Sequence, residues 1–357
     1  MTRPRPTVGS PNAYDAYLRQ ARAFADRLAA CEGVVGVLLT GGVARGYADH
    51  FSELDLAVHL TRPHFEGWTR RGLAPFPEGD SYLDGWHVDF CYLCYDDEIE
   101  AEWEHVKRWD RSYAVILHDP QGLMQDMLAR KAVLTGEEKG RLIDRYLILY
   151  GDYFCSLVAP SWLYRGDLLA AHHCLNIALD ALVKAVFLAN DDLIPFEKWT
   201  LNLSYTLAWR PPDWRERVEQ ALLVREVSRA DVERRCALVR DLFAECKEKL
   251  LGPKTEGLNL IEARKLEILR AVWQRGSMSA VEYDRRFGLR QAIQSPLFHL
   301  MRRETQEGQE YLVFDQGRLW EAAERDFEGF LGWDRALLRV LVEECDNEIS
   351  PCGVGSV

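Results

Sequence analysis

Residues 34–93 constrain the chain more than any other stretch. Val34-Val35-Gly36-Val37-Leu38-Leu39 is a short apolar, β-branched run bounded by glycines, which predicts a buried strand leading into Thr40-Gly41-Gly42. Two glycines leave no side chain between the backbone and a bound phosphate. Val43-Ala44-Arg45 can then begin a short helix whose first amides, with Arg45 beside them, face the same anion. Glu53-Leu54-Asp55-Leu56-Ala57-Val58-His59-Leu60 alternates and predicts a second strand, with Glu53 and Asp55 on one face. Trp86-His87-Val88-Asp89-Phe90-Cys91-Tyr92-Leu93 predicts a third, apolar except for one carboxylate.

Each piece has an ordinary reading. A Gly-Gly after a strand is commonly just a turn, and Glu-x-Asp is commonly the solvated face of an edge strand. Asp89 is different, because an unpaired carboxylate in an apolar strand is costly and normally has a partner or a metal. If the third strand lies beside the second, Glu53, Asp55 and Asp89 form one cluster of hard oxygen ligands. Such a cluster suits two Mg²⁺ ions a few Å apart, the pair that clamps attacking and leaving oxygens in an in-line displacement at phosphorus.

The run Gly41-Gly42-Val43-Ala44-Arg45-Gly46-Tyr47-Ala48, then Ser52-Glu53-Leu54-Asp55-Leu56, then Val88-Asp89-Phe90, resembles the nucleotidyltransferase signature of the DNA polymerase β superfamily. Within it the chain is most similar to the antibiotic-modifying branch, the aminoglycoside and lincosamide nucleotidyltransferases. The resemblance implies that Glu53, Asp55 and Asp89 hold two Mg²⁺ ions and that Gly41 and Gly42 cradle the phosphates of ATP. It implies transfer of AMP to a hydroxyl of a small molecule, aminoglycoside- or lincosamide-like, with release of pyrophosphate. Gly42 stands where many members have Ser, and Glu53 where most have Asp. A weaker likeness covers Arg165-Gly166-Asp167-Leu168-Leu169-Ala170, Asn190 and Ile194-Pro195-Phe196-Glu197-Lys198-Trp199. It is similar to the helical domain that walls the acceptor pocket in that branch and lends a lysine to the triphosphate. Lys198 and Lys184 are the candidates for that lysine, and Trp199, Trp162 and Tyr164 for the pocket lining. Lys198 could equally just begin a helix, and Lys184 could snorkel from a bundle's flank. As general base the candidates are Asp167, also a strong N-cap signal, and Glu102 or Glu104, also ordinary exposed helix charges.

Charge narrows the acceptor. The net charge is −12, and residues 76–110 carry eleven acids against Lys107 and Arg108. That sign repels a polynucleotide backbone and attracts cations, so a small, cationic acceptor fits better than nucleic acid. A solvated acidic helix is the plain alternative. The sequence leaves oligomeric state open, a dimer included. Two rival functions remain: a protein-adenylylating transferase of toxin–antitoxin type, and a nucleotide-sensing DNA-binding regulator.

With 357 residues, 48% hydrophobic and 28% charged, the chain has material for two or three domains. No signal-type stretch comes after Met1-Thr2-Arg3-Pro4 and no uninterrupted apolar run spans a bilayer, so a cytoplasmic location without membrane attachment is expected. Nine irregularly spaced cysteines suit reduced thiols, and Cys91-x-x-Cys94 lacks the second ligand pair of a zinc site.

The fold class expected is α+β. A small mixed-sheet nucleotidyltransferase-like domain (1–135) precedes a helical substrate-binding domain (136–251), a C-terminal unit (258–345) and a tail (346–357). In the first, helices are predicted over Tyr14 to Cys31 and Asp97 to Trp109, with a fourth strand over Tyr113 to Leu117. In the second, they are predicted over Arg141 to Leu157 and Leu168 to Ala189. The third reads as helix (Glu262 to Gln274), cap, helix (Ala280 to Phe287), helix (Gln291 to Arg303) and strand (Glu310 to Phe314), an order compatible with a winged helix. Arg285, Arg286, Arg290, Arg302 and Arg303 make a basic stretch in it, but acids outnumber bases across the unit, so a structural or dimerising role is the default.

Overall fold

The computed structural model describes residues 3–251, 260–287, 300–328 and 332–349. Two compact units emerge, Met1–Lys139 with Val186–Glu216, and Gly140–Ala185 with Arg217–Val357.

The first unit is built on a five-stranded mixed sheet in the order β3-β4-β2-β1-β5, comprising β1 (Val34–Leu39), β2 (Leu54–Leu60), β3 (Gly79–Leu83), β4 (Trp86–Cys94) and β5 (Val115–His118). Only β2 and β4 run parallel; β1 pairs antiparallel with β2 and β5, and β3 antiparallel with β4. Strand β3 is an addition to the strands expected from the sequence. It forms a hairpin with β4 through Asp84-Gly85, both at positive φ (53° and 83°), the geometry that two-residue hairpin turns demand.

Alternation sorts the residues onto two faces. Val37, Leu39, Leu54, Leu56, Val58, Val88, Phe90 and Tyr92 face one core, closed by Ala21, Phe24, Ala25 and Leu28 of α1 (Tyr14–Ala29) and by Trp68 of α2 (Arg62–Arg71). Phe24 meets Phe76 and Phe90 edge-on at 5.6 and 5.7 Å. Fully buried, it should cost that core about 3–5 kcal/mol on truncation to Ala. On the opposite face Leu38 and Ala57 pack with Trp103, Met124 and Met127 at one end only. His59 lies there too, fully buried; burial first, then Arg111 and Lys107, push its pKa down to about 3, so it is a neutral imidazole. The other end of that face is polar.

The helix expected over Asp97 to Trp109 is two, α3 (Tyr95–Glu100) and α4 (His105–Arg111). Ala101 is extended (φ −63°, ψ 137°) and Trp103 turns inward at the break, so core packing overrides helical periodicity. Residues 186–216, expected to belong with the helical domain, pack in the first unit. Arg3 pairs with Asp192 at 2.7 Å, Thr7 and Asn202 exchange hydrogen bonds of 2.9 and 2.8 Å, and the Ile194 amide donates to His105 at 3.0 Å. This segment carries the helix Glu197–Ser204.

Leu168–Leu188, which belongs to the second unit as far as Ala185, is the long helix the periodicity predicts. By length and composition it could cross a membrane, but 78% of its apolar window is buried in the protein, as in a core helix. The stretch expected as a helix from Arg141 to Leu157 is α-helical to Ile143 and then π-helical over Asp144–Asp152 and Phe154–Val158. Gly151 lets Phe243 pack against that wide turn, since a Cβ on it would lie 2.1 Å from the ring.

The C-terminal part of this unit packs a three-stranded antiparallel sheet, β6 (Ser277–Ser279), β8 (Gln309–Phe314) and β7 (Met301–Gln306) in that order, with the helices Leu260–Trp273 and Ala280–Phe287. Leu269, Val272, Met278, Tyr283, Leu312 and Leu338 are in its core. The segment read as a cap is strand β6, although Ser279 Oγ does cap the Ala280–Phe287 helix by accepting from the Glu282 amide at 3.1 Å. Of the helix expected over Gln291 to Arg303, residues 291–299 lie outside the described residues, as do Arg290, the 252–259 linker and the tail from 350. Arg302 and Arg303 are on strand β7 instead.

Candidate functional site

The polar end of the sheet face is assembled by strand register. Asp55 on β2 stands directly opposite Asp89 on β4, and Asp89 stands opposite Asp80 on β3. Residues paired this way share a face, so three carboxylates form a row across three adjacent strands. Glu53, two residues before Asp55, projects to the same side, as does His87, two before Asp89. The sheet thus brings together Glu53, Asp55 and Asp89 and adds Asp80 and His87.

Gly41 is part of the same construction. It sits at φ +63°, and a Cβ on it would lie 1.8 Å from Asp55 Oδ2. The turn is therefore glycine because the Asp55 carboxylate lies directly against it. Thr40 fixes the approach, its amide donating to the Asp55 carbonyl at 2.9 Å. Gly42 has an ordinary φ of −61°, and a Cβ on it would come within 3.8 Å of Trp199 Cζ2. The next residues form not the helix expected but one 3₁₀ turn, Val43–Arg45, ended by Gly46 at φ 88°. So short a turn accumulates little dipole, and anion binding here falls to individual amides and side chains.

Electrostatics set the row apart. Asp55 is pushed up to about 7, by burial first, then by the charges of Glu53, Asp110 and Asp89, with Arg45 opposing. Asp89 is also raised, by burial and then Asp80, with His87 opposing. Among the described residues no ion pair and no side-chain hydrogen bond reaches either carboxylate. A half-buried, mutually repelling carboxylate pair lacking donors is the environment that a hard divalent cation relieves, so these residues fit Mg²⁺. Glu53, Asp55 and Asp89 would hold it.

Arg45, expected beside the phosphates, is occupied. The residue is 4% exposed, and its guanidinium donates to Asp110 Oδ1 at 2.5 Å and lies over the rings of Trp109 (4.2 Å) and Trp199 (5.0 Å). Burial lowers its pKa and Asp110 opposes. Its role here is to hold Asp110 near Asp55 and Trp199 against the glycine turn. Lys198 is exposed in the first turn of the Glu197–Ser204 helix, next to Trp199, and is available. Lys184 belongs to the second unit, buried, with its ammonium 2.7 Å from Asp180 and 5.3 Å from the Tyr146 ring.

The base candidates divide similarly. Asp167 caps the Leu168–Leu188 helix, accepting from the Ala170 amide at 2.9 Å, and lies in the second unit. Glu104 is exposed at the N-cap of α4 without a side-chain cap bond, and Glu102 is exposed nearby. Trp162 stacks under Arg165 at 4.8 Å, and Tyr164 is 89% exposed rather than packed in a core. Cys91 is exposed and Cys94 buried, three residues apart on a strand and hence on opposite faces, which rules out a shared metal. All eight cysteines among the described residues are free.

Sequence reasoning missed Asp80, His87 and Asp110. The first two had a signal: Asp84-Gly85 between alternating segments marks a hairpin that aligns them with Asp89. Asp110 had none, because its place depends on Arg45, 65 residues earlier.

No curated protein shows significant sequence similarity to the chain. Among solved structures, a nucleotidyltransferase-like protein from Exiguobacterium sibiricum aligns over 84% of this chain and 99% of its own, at 13% identity and a TM-score of 0.46. Residues 18–116, the segment that contains the glycine turn and the whole carboxylate row, match the family model of the nucleotidyltransferase domain.

Proposed function

We propose that the protein is a divalent-metal-dependent nucleotidyltransferase that moves AMP from ATP to a hydroxyl of a small, cationic acceptor such as an aminoglycoside- or lincosamide-like compound. The observation that carries this reading is the in-register pairing of Asp55 with Asp89 beside Gly41, inside the segment that matches the nucleotidyltransferase family model. Bound Mg²⁺ would supply charge neutralisation at the α-phosphate and acidify the acceptor hydroxyl. The chain's own groups do the rest. Asp55 and Asp89 present their carboxylates from adjacent strands, and Glu53 from the residue before β2. Gly41 and Gly42 let the triphosphate approach the backbone, and Lys198 neutralises its outer phosphates. The acceptor oxygen forms a bond to the α-phosphorus as the bond to the β-phosphate oxygen breaks, and pyrophosphate departs. The acceptor proton passes to a carboxylate within hydrogen-bond reach of the acceptor hydroxyl. A cytoplasmic setting supplies the ATP.

The test is pyrophosphate release from Mg-ATP with and without aminoglycosides and lincosamides. Acceptor-dependent release is expected. Labelling of protein instead would indicate an adenylylating toxin, and tight nucleotide binding without turnover would indicate a sensor. In the same assay Asp167→Ala loses about 1 kcal/mol of stability as a lost N-cap but keeps its turnover, which separates Asp167 from the base.

A further inference from the structure

A second group of ligand atoms lies at the outer end of the carboxylate row. Glu53, Asp80 and His87 each offer one atom, and the three atoms lie within 4.8 Å of one another. His87 Nε2 is 3.2 Å from Asp80 Oδ1 and 3.7 Å from Glu53 Oε2. The imidazole is held in place: the Tyr82 ring stacks on it with centroids 4.9 Å apart and planes 12° from parallel. Both rings belong to the β3–β4 hairpin, whose register (Tyr82 opposite His87, Asp80 opposite Asp89) fixes their spacing. The hairpin therefore places His87 Nε2 between two carboxylates, one of which, Glu53, also acts electrostatically on Asp55.

Donor chemistry decides which ion such a set prefers. Three carboxylates alone present hard oxygens, to which Mg²⁺ is well suited. An imidazole in the set raises affinity for first-row transition ions, in the order Mn²⁺ < Co²⁺ < Ni²⁺ and Zn²⁺, far more than for Mg²⁺. We propose that Glu53, Asp80 and His87 form a divalent transition-metal site with a nitrogen ligand, adjoining the Asp55–Asp89 pair and favouring Mn²⁺-class ions over Mg²⁺. The proposal touches the nucleotidyl-transfer reading through Glu53 alone, and it concerns binding in the absence of nucleotide. A simple ion pair between His87 and the two carboxylates is the competing account of the same distances.

The experiment is a Mn²⁺ titration of the full-length, nucleotide-free protein, monitored by the electron paramagnetic resonance of free Mn²⁺ and then by competition with Mg²⁺. His87→Phe keeps a ring against Tyr82 but removes the nitrogen. Asp80→Asn removes a charge from the exposed strand, and Asp84→Asn, at the hairpin tip where Arg27 pairs with it at 2.8 Å, is the control. The wild type should bind Mn²⁺ at a site that a roughly tenfold excess of Mg²⁺ fails to empty, and His87→Phe and Asp80→Asn should each weaken it by ~10-fold or more. Asp84→Asn should bind as wild type. Equal Mn²⁺ affinity in wild type and His87→Phe, or displacement by Mg²⁺ at parity, overturns the proposal. Since no nucleotide is present, His87-dependent binding in a protein that releases no pyrophosphate would sink the transferase reading and leave this site standing. Pyrophosphate release without His87-dependent binding would do the reverse.

Discussion

The N-terminal and C-terminal sheets both carry exposed or half-exposed charges, but they treat them differently. On the C-terminal hairpin, Arg302 pairs with Glu304 at 2.8 Å and Arg303 with Glu310 at 3.5 Å, while Arg270 pairs with Glu344 and Arg275 with Glu282 nearby. On the N-terminal sheet, Asp80, Asp89 and Asp55 stand in a row with a fourth acid, Glu53, beside them, and Asp55 and Asp89 have no ion-pair partner among the described residues. Arg45, a cation that acts on Asp55, is committed to Asp110. Balanced charges mark a solvated surface. Glu53 and Asp80 at the outer end share His87, which leaves the half-buried Asp55–Asp89 pair as the unbalanced part of the row, the kind of environment that a divalent cation relieves.

Four substitutions would break or sharpen that contrast. The largest effect belongs to Asp89→Asn, which keeps shape but removes charge: pyrophosphate release should fall on the order of 10³-fold with an unchanged circular dichroism spectrum. Next comes Asp55→Asn in chelator. The carboxyl titrates near 7 in the folded chain against 3.8 for the free group, so the native state holds a proton that the unfolded chain releases. Wild-type stability should therefore fall as pH rises from about 4 to 7, and the Asn variant, free of that penalty, should exceed it by roughly 2–4 kcal/mol at neutral pH and match it in acid. Denaturant melts at the two pH values read this directly. Gly41→Ala is expected to cost about 2 kcal/mol, from a positive φ and a collision with the Asp55 carboxylate, and to depress turnover with it. Smallest is Arg303→Gln on the paired hairpin, about 0.5 kcal/mol or less with no change in turnover, because exposed ion pairs contribute little. A large loss there would erase the distinction between the two sheets.

How much of this was legible in the sequence depends on the range of the interactions. The glycine turn and the strands bearing Asp55 and Asp89 announce themselves, since alternation and turn chemistry are local. The Leu168–Leu188 helix does too, because its apolar spacing runs for about six turns without a proline. Strand β3 was hidden because Gly79-Asp80-Ser81-Tyr82 has little β propensity and stays half exposed; only its Asp84-Gly85 turn gave it away. The break between α3 and α4 was hidden because it serves the burial of Trp103. Arg45 is the instructive case. Its place after the glycine turn suggests a phosphate contact, and only the fold shows Trp109, Trp199 and Asp110 closing around it. The same holds for Lys184 and Asp167, whose partners four and three residues away, Asp180 and the Ala170 amide, occupy them with helix-internal contacts.

The most direct measurement is an anomalous-scattering map of crystals grown with Mn²⁺ and a non-hydrolysable ATP analogue. A metal peak bonded to both Asp55 and Asp89 and to a phosphate oxygen lying over Gly41 is the predicted result. Nucleotide bound elsewhere, or with no metal on those two carboxylates, would contradict the assignment of the carboxylate row as the transfer site.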